Sequence, residues 1–211
     1  RQLLDRAAEK YGDKIAFEYK KDATDKNSEI IVKTFNQFKK DAKKLSTIFL
    51  NMGLEGKRVA VIGNNSYSWC VTYMAIVPLD KALPDTEIKS LIKRSKADAV
   101  VFDKKYVDVF EKIRKENKSN LQYYICMDDI ESANVIKYSE LMQKGEELVN
   151  NEDNRYDSIK IDNKKMSIML FTSGTTAAAK AVMLSQYNVC SNINAMPYFV
   201  SMYDTDVLLS F

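Results

Sequence analysis

Leu3, Leu4, Ala7, Ala8 and Tyr11 recur at helical spacing across "RQLLDRAAEKYGD", which predicts an amphipathic helix at the start of the chain. "KIAFEYK" (Lys14 to Lys20) then alternates Ile15, Phe17 and Tyr19 with polar residues, the pattern of a half-buried strand, and "IIVK" predicts a second. Phe38, Ala42, Leu45, Ile48, Phe49 and Met52 return to helical spacing, and Gly53 follows where a left-handed cap needs no Cβ. "RVAVI" (Arg58 to Ile62) is continuously apolar, as in a strand covered on both faces. After the "GNNS" turn, helices are expected over Tyr67 to Val77 and Asp85 to Lys96, then a buried strand at "AVVF". Tyr106, Val109, Phe110 and Ile113 mark another helix, and "QYYICM" (Gln122 to Met127) another strand.

Strand and helix in alternation predict an α/β fold, a layered αβα sheet with mainly parallel strands joined by right-handed crossovers. The pattern weakens over 128–163, where we expect an irregular connection with one helix (Glu140 to Val149) and "NNEDNRYD" as an exposed loop. It recovers at "MSIMLF" (Met166 to Phe171). The organisation expected is a first α/β unit at 1–127, the connection at 128–163, and the start of a second α/β unit at 164–211.

Composition narrows the functional classes. Lys plus Arg number 32 against 29 Asp plus Glu, a balance of +3 that argues against nucleic acid as a partner. Histidine is absent, which removes Ser-His-Asp and Cys-His catalysis and histidine metal sites from this chain. Cys70, Cys126 and Cys190 are odd in number and lack C-x-x-C spacing, so a reducing, cytoplasmic setting is expected. The apolar run Trp69 to Leu79 is too short to span a bilayer, and no secretory signal is visible. The chain does not begin with Met, and we expect a segment before it.

The chemistry concentrates in "MLFTSGTTAAAKAVMLS" (Met169 to Ser185). A hydroxyl- and glycine-rich turn after a buried strand is where α/β proteins hold phosphates, through backbone N–H groups and side-chain hydroxyls. Thr172, Ser173, Thr175 and Thr176 supply the hydroxyls, Gly174 permits close backbone approach, and Lys180 adds positive charge. It is not a P-loop, because Ala179 and Ala181 flank Lys180 where glycine and Ser or Thr are required. A strand-to-helix connection whose hydroxyls serve only as a cap fits the local pattern about as well, and the alanines favour helix. Ser90 and Lys93 form an S-x-x-K without companion motifs, and adjacent Asp128 and Asp129 fit a turn after a strand better than a shared proton or metal.

"TSGTTAAAKAVMLSQYN" resembles the signature [ST]-S-G-T-T-G-x-P-K-G-V-x-x-S-H-x-N of the AMP-forming, adenylate-forming ligases. Upstream, "GNNSYSWCVTYMAIV" is similar to that family's strand-turn-helix with Asn65 and Trp69 in place, and "PLDKALPDTEIKSLIKRSKADAVVFD" resembles the form typical of long-chain fatty acyl-CoA synthetases. The resemblance implies the N-terminal part of the large domain of such an enzyme. It also implies ATP, Mg2+ and coenzyme A as cofactors or co-substrates, and a fatty or other carboxylic acid as substrate. In the chemistry this implies, a carboxylate would attack the α-phosphate of ATP to give acyl-AMP and pyrophosphate, and a thiol would then take the acyl group. By position, Thr172, Ser173, Gly174, Thr175 and Thr176 would wrap the β- and γ-phosphates, and Lys180 would match the signature lysine.

Departures from that pattern matter. Ala177, Ala179 and Ala181 replace Gly, Pro and Gly, and Gln186 replaces His. Val77 runs straight into Pro78, where relatives carry a glycine-containing turn and a strand, so a segment is expected to be missing there. No catalytic residue is assignable, and no metal ligand. The family's magnesium glutamate, ribose aspartate and C-terminal lysine would lie beyond Phe211, so the 211-residue chain is expected to be inactive alone. Self-association and peripheral membrane contact are further expectations. An amino-acid-activating domain and a non-catalytic nucleotide-binding module of the same fold remain alternatives.

Overall fold

Val59–Ile62, Ala99–Phe102 and Tyr123–Cys126 are short runs of β-branched, aromatic and small residues with no polar side to offer water. In the computed structural model, which describes residues 1–22, 24–76, 88–172, 180–203 and 205–210, they form β3, β4 and β5 of a parallel sheet. Every residue of β3 and β4 is buried. The sheet has four strands in the order β3-β4-β5-β6, the last being the two-residue Ile136–Lys137. Val59 pairs with Ala99, Ala99 with Tyr123, and Ile125 with Ile136, parallel throughout.

Because strand side chains alternate, this sheet feeds two cores. Val59, Val61, Ala99, Val101 and Ile125 face a cluster built with α2 (Phe35–Asn51), α3 (Tyr67–Ile76) and α6 (Tyr138–Asn150). Ala60, Ile62, Val100, Phe102, Tyr124 and Cys126 face the other, built with α4 (Ile88–Ser95) and α5 (Val107–Glu116). The αβα layering expected from the alternation is present.

Local chemistry sets the element ends. Thr34 caps α2: its Oγ1 accepts from the Gln37 N–H at 3.2 Å, and the Gln37 amide oxygen accepts from the Thr34 N–H at 2.8 Å. Gly53 takes φ +75° after α2, the left-handed cap expected of it. Gly145 lets α6 press against α2, since a Cβ there would overlap the Lys44 carbonyl. The N-terminal helix α1 (Gln2–Tyr11) buries Leu4 and Ala8. Leu3, expected on the same face, is half exposed on the flank of the helix.

Two antiparallel pairs flank this unit. β1 (Ile15–Lys20) pairs with β2 (Ile30–Thr34), and a register shift between Ile15 and Phe17 turns Ile15 out to 58% exposure, against the simple alternation. Phe17 packs edge-on against Phe38, with ring centroids 4.8 Å apart. The other pair, β7 (Met166–Thr172) with β8 (Lys180–Ser185), carries the site described below.

The connection over 128–163 is more ordered than its polarity suggests. Ile136–Lys137 joins the sheet edge, and α6 begins at Tyr138. The expected exposed loop instead holds a short helix, α7 (Arg155–Ser158), whose Tyr156 is only 2% exposed. One apolar ring is enough to dock it, and the Arg1 guanidinium donates to the Tyr156 carbonyl at 2.7 Å. The junction of Val77 with Pro78, and the start of the helix expected from Asp85, lie outside the described residues. Among the described residues no helix is long and apolar enough to cross a membrane.

Candidate functional site

The apolar strand β7 runs into the hydroxyl-rich segment, and the chain returns along β8 rather than entering a helix. Phe171 pairs with Ala181, Leu170 with Val182, Met169 with Met183 and Ile168 with Leu184. Alanine's preference for helix is a few tenths of a kcal/mol per residue, about 0.7 at most against ordinary residues, and pairing with β7 outweighs it. Val182, Met183 and Leu184 suit a strand. The segment is therefore a hairpin, which removes the strand-to-helix reading. Thr172 pairs with Lys180 at its mouth.

Ser173, Gly174, Thr175 and Thr176, with Ala177 to Ala179, lie outside the described residues, and of Thr172 only the backbone is described. Lys180 is exposed as the first residue of β8. It has no ion-pair partner among the described residues, so its ammonium is open to an anion. Strand alternation places Lys180, Val182 and Leu184 on one face, and Ala181 and Met183 on the other. On β7, Met169 and Phe171 point into the core shared with α4 and α5. Ala181, which stands where the signature has glycine, is a strand residue without positive φ, so glycine's freedom is not needed there.

The helix does come, at α8 (Gln186–Ala195), and two signature positions start it. Ser185 Oγ accepts from the Asn188 N–H at 3.2 Å, and Asn188 Oδ1 accepts from the Ser185 N–H at 2.9 Å. This capping arrangement was legible as Ser followed three residues later by an amide, and sequence reasoning assigned it nothing.

A cavity of about 540 Å3 lies at the base of the hairpin, away from its mouth. Tyr73 of α3, Ile159, Ile168 of β7, and Tyr187, Cys190 and Ile193 of α8 are among its walls. Burial raises the Tyr73 phenol above its ordinary range. Cys126, at the end of β5 and facing the α4–α5 core, is pushed up to about 11 by burial, which keeps it an unreactive thiol.

The secondary motifs have structural roles or none. Ser90 and Lys93 are both exposed on α4. Asp128 lies just after β5 and accepts from the Lys104 N–H at 2.7 Å, while Asp129 accepts from the Ser139 hydroxyl, so the two carboxylates tie different segments. Among the described residues no group of three His, Cys, Asp or Glu could hold a metal ion. The exposed Lys180 at the hairpin mouth fits a phosphate.

The chain is 25% identical over 227 residues to fatty acyl-CoA synthetase B of Dictyostelium discoideum, covering 99% of this chain and 33% of that protein. It is 29% identical over 150 residues to a CoA ligase of Gibberella moniliformis, covering 68% of this chain and 22% of that one. The chain thus spans a third or less of these curated relatives. Its fold superimposes on a long-chain-fatty-acid-CoA ligase from Archaeoglobus fulgidus with a TM-score of 0.78 at 19% identity, over 97% of this chain and 40% of that one. The family described as AMP-binding enzyme matches residues 4–211, and the chain belongs to that family.

Proposed function

We propose that the protein is part of an AMP-forming acid–thiol ligase, with a fatty acid as the acid and coenzyme A as the thiol. The observation that carries this is the hairpin mouth, where Lys180, unpaired among the described residues, sits across the ladder from Thr172. Backbone N–H groups and hydroxyls from Thr172 to Thr176 hold the β- and γ-phosphates of ATP, and Lys180 neutralises their charge. The acid's carboxylate oxygen then attacks the α-phosphorus, the bond to the bridging oxygen breaks, and pyrophosphate leaves. The thiol sulfur next attacks the acyl carbon, its proton passes to solvent, the acyl–phosphate bond breaks and AMP leaves. Little proton transfer is asked of the protein, which suits a chain without histidine; positioning and charge supply the rate. Magnesium would supply further neutralisation, and no step is assigned to it.

Fatty acid is favoured because the relatives named above are a fatty acyl-CoA synthetase and a long-chain-fatty-acid-CoA ligase by description. A non-catalytic module of the same fold is the second reading, supported by the alanines at 177–179. The odd cysteine count supports a cytoplasmic location. Exposed Tyr198, Phe199, Val207, Leu208 and Leu209 support self-association of the 211-residue chain, or contact with a membrane surface.

The test is acid-dependent ATP–pyrophosphate exchange by the full-length protein. Exchange with palmitate exceeding that with any amino acid supports the proposal, and no exchange with any acid favours the non-catalytic module.

A further inference from the structure

A two-stranded hairpin is marginal by itself, so the position of its loop depends on what its strands rest upon. The two roots of this loop are not held alike. Met169 and Phe171 on β7 belong to the buried cluster that includes Ile88, Leu91 and Ile92 of α4, and Phe171 is 5% exposed. On β8 the residues Lys180 to Met183 are all exposed. The entering strand β7 is thus the one anchored against α4, and Phe171 is its last buried side chain before the loop.

Arg94, on the last turn of α4, lies over that ring, its guanidinium carbon 5.1 Å from the Phe171 centroid. Two observations make this contact more than an incidental surface arginine. Arg94 is exposed yet makes no ion pair among the described residues. The carbonyl of Ser95 at the end of α4 is taken by the Arg58 guanidinium at 2.8 Å, so Arg94 is not needed to finish the helix. A planar cation over an aromatic face restrains the ring while its charge stays in water.

We propose that Arg94 is a positioning residue for the phosphate-binding loop, acting through Phe171 to set the angle at which β7 delivers Thr172. This rests on the assignment of that loop to ATP. The residue touches no substrate in this account; it holds the buried root of the loop, on β7, whereas the β8 root is exposed.

The test is acid-dependent ATP–pyrophosphate exchange by the full-length protein bearing Arg94→Ala, Arg94→Lys, Phe171→Leu, the Arg94→Ala/Phe171→Leu double change, or Lys180→Ala. Arg94→Ala is expected to raise the KM for ATP roughly two- to fivefold, with the KM for the acid and the thermal midpoint unchanged. Arg94→Lys keeps a cation and recovers part of the loss. Phe171→Leu keeps an apolar filler but raises the same KM, and the double change adds nothing further. An ATP KM unmoved by Arg94→Ala, or additive losses in the double change, overturns the proposal. If Phe171→Leu does not fold, the two Arg94 variants decide. If Lys180→Ala also leaves the ATP KM unmoved, the loop assignment itself has failed and the Arg94 role falls with it; if only Lys180→Ala raises it, the Arg94 role alone is lost.

Discussion

Lys180 lies directly across the β7–β8 ladder from Thr172, so the signature lysine and the first signature hydroxyl are the two gateposts of one hairpin loop. Their spacing in sequence says only that both belong to one motif. The ladder says that they stand side by side, and that Ala181 is already a strand residue paired with Phe171.

That placement divides the three departures from the signature. Restoring Ala177→Gly and Ala179→Pro is expected to lower the KM for ATP, because these positions sit within the loop. Ala181→Gly is expected to give no gain and to cost about 0.5–1 kcal/mol of stability, since glycine weakens a strand interior. Steady-state kinetics and urea unfolding of the separate changes check this.

Ser185 has a structural role that separates it from the hydroxyls before it. Ser185→Ala removes the oxygen that caps α8 and is expected to cost about 1 kcal/mol. The KM for ATP should stay within twofold, about 0.4 kcal/mol. A large rise in that KM without a loss of stability would move Ser185 into the site.

Gly145 lets α6 rest directly on the backbone of α2 at Lys44. Gly145→Ala gains helix propensity of up to about 1 kcal/mol but drives a methyl into the Lys44 carbonyl, and the net change is expected to be destabilising by about 1–2 kcal/mol. The urea midpoint reads the sign directly.

Burial raises the phenols of Tyr67, Tyr138 and Tyr156, the last to about 12, and Tyr67 also faces the Asp41 carboxylate, to which it donates at 2.9 Å. Cys126 is raised in the same sense, from an ordinary thiol value near 9. In the unfolded chain these groups ionise at ordinary values while the folded protein keeps their protons, so the unfolded state binds fewer protons at high pH. Stability is therefore held below pH 9 on their account and falls as pH rises through 10 and above. Urea midpoints between about pH 8 and 11 should show the fall, and Tyr156→Phe should remove about 1 kcal/mol of it at pH 11.

Much of the first unit was legible because its elements are long or uniformly apolar. The spacing from Phe38 to Met52 marks α2, and "RVAVI" and "AVVF" mark strands covered on both faces. What escaped depended on contacts distant in sequence. Ile136–Lys137 is too short to show a period and is a strand only because β5 offers it an edge. Tyr156 is buried by a helix formed in a polar stretch that Arg1 ties down from the far end of the chain. The alanines suggested a helix, and the apolar strand before them took the chain back as a hairpin. At the site, the motif's spacing singled out Thr172 to Thr176 and Lys180, but neither Ser185 and Asn188 as a cap nor Arg94 above Phe171 could be assigned from spacing alone.

The measurement that bears most directly on the loop assignment is the KM for ATP in acid-dependent ATP–pyrophosphate exchange, full-length protein against its Lys180→Ala form. A lysine paired with a phosphate oxygen contributes about 1.5–3 kcal/mol, so the KM should rise roughly tenfold or more while the thermal midpoint stays put, Lys180 being exposed. An unchanged KM would contradict the assignment of this hairpin to the triphosphate.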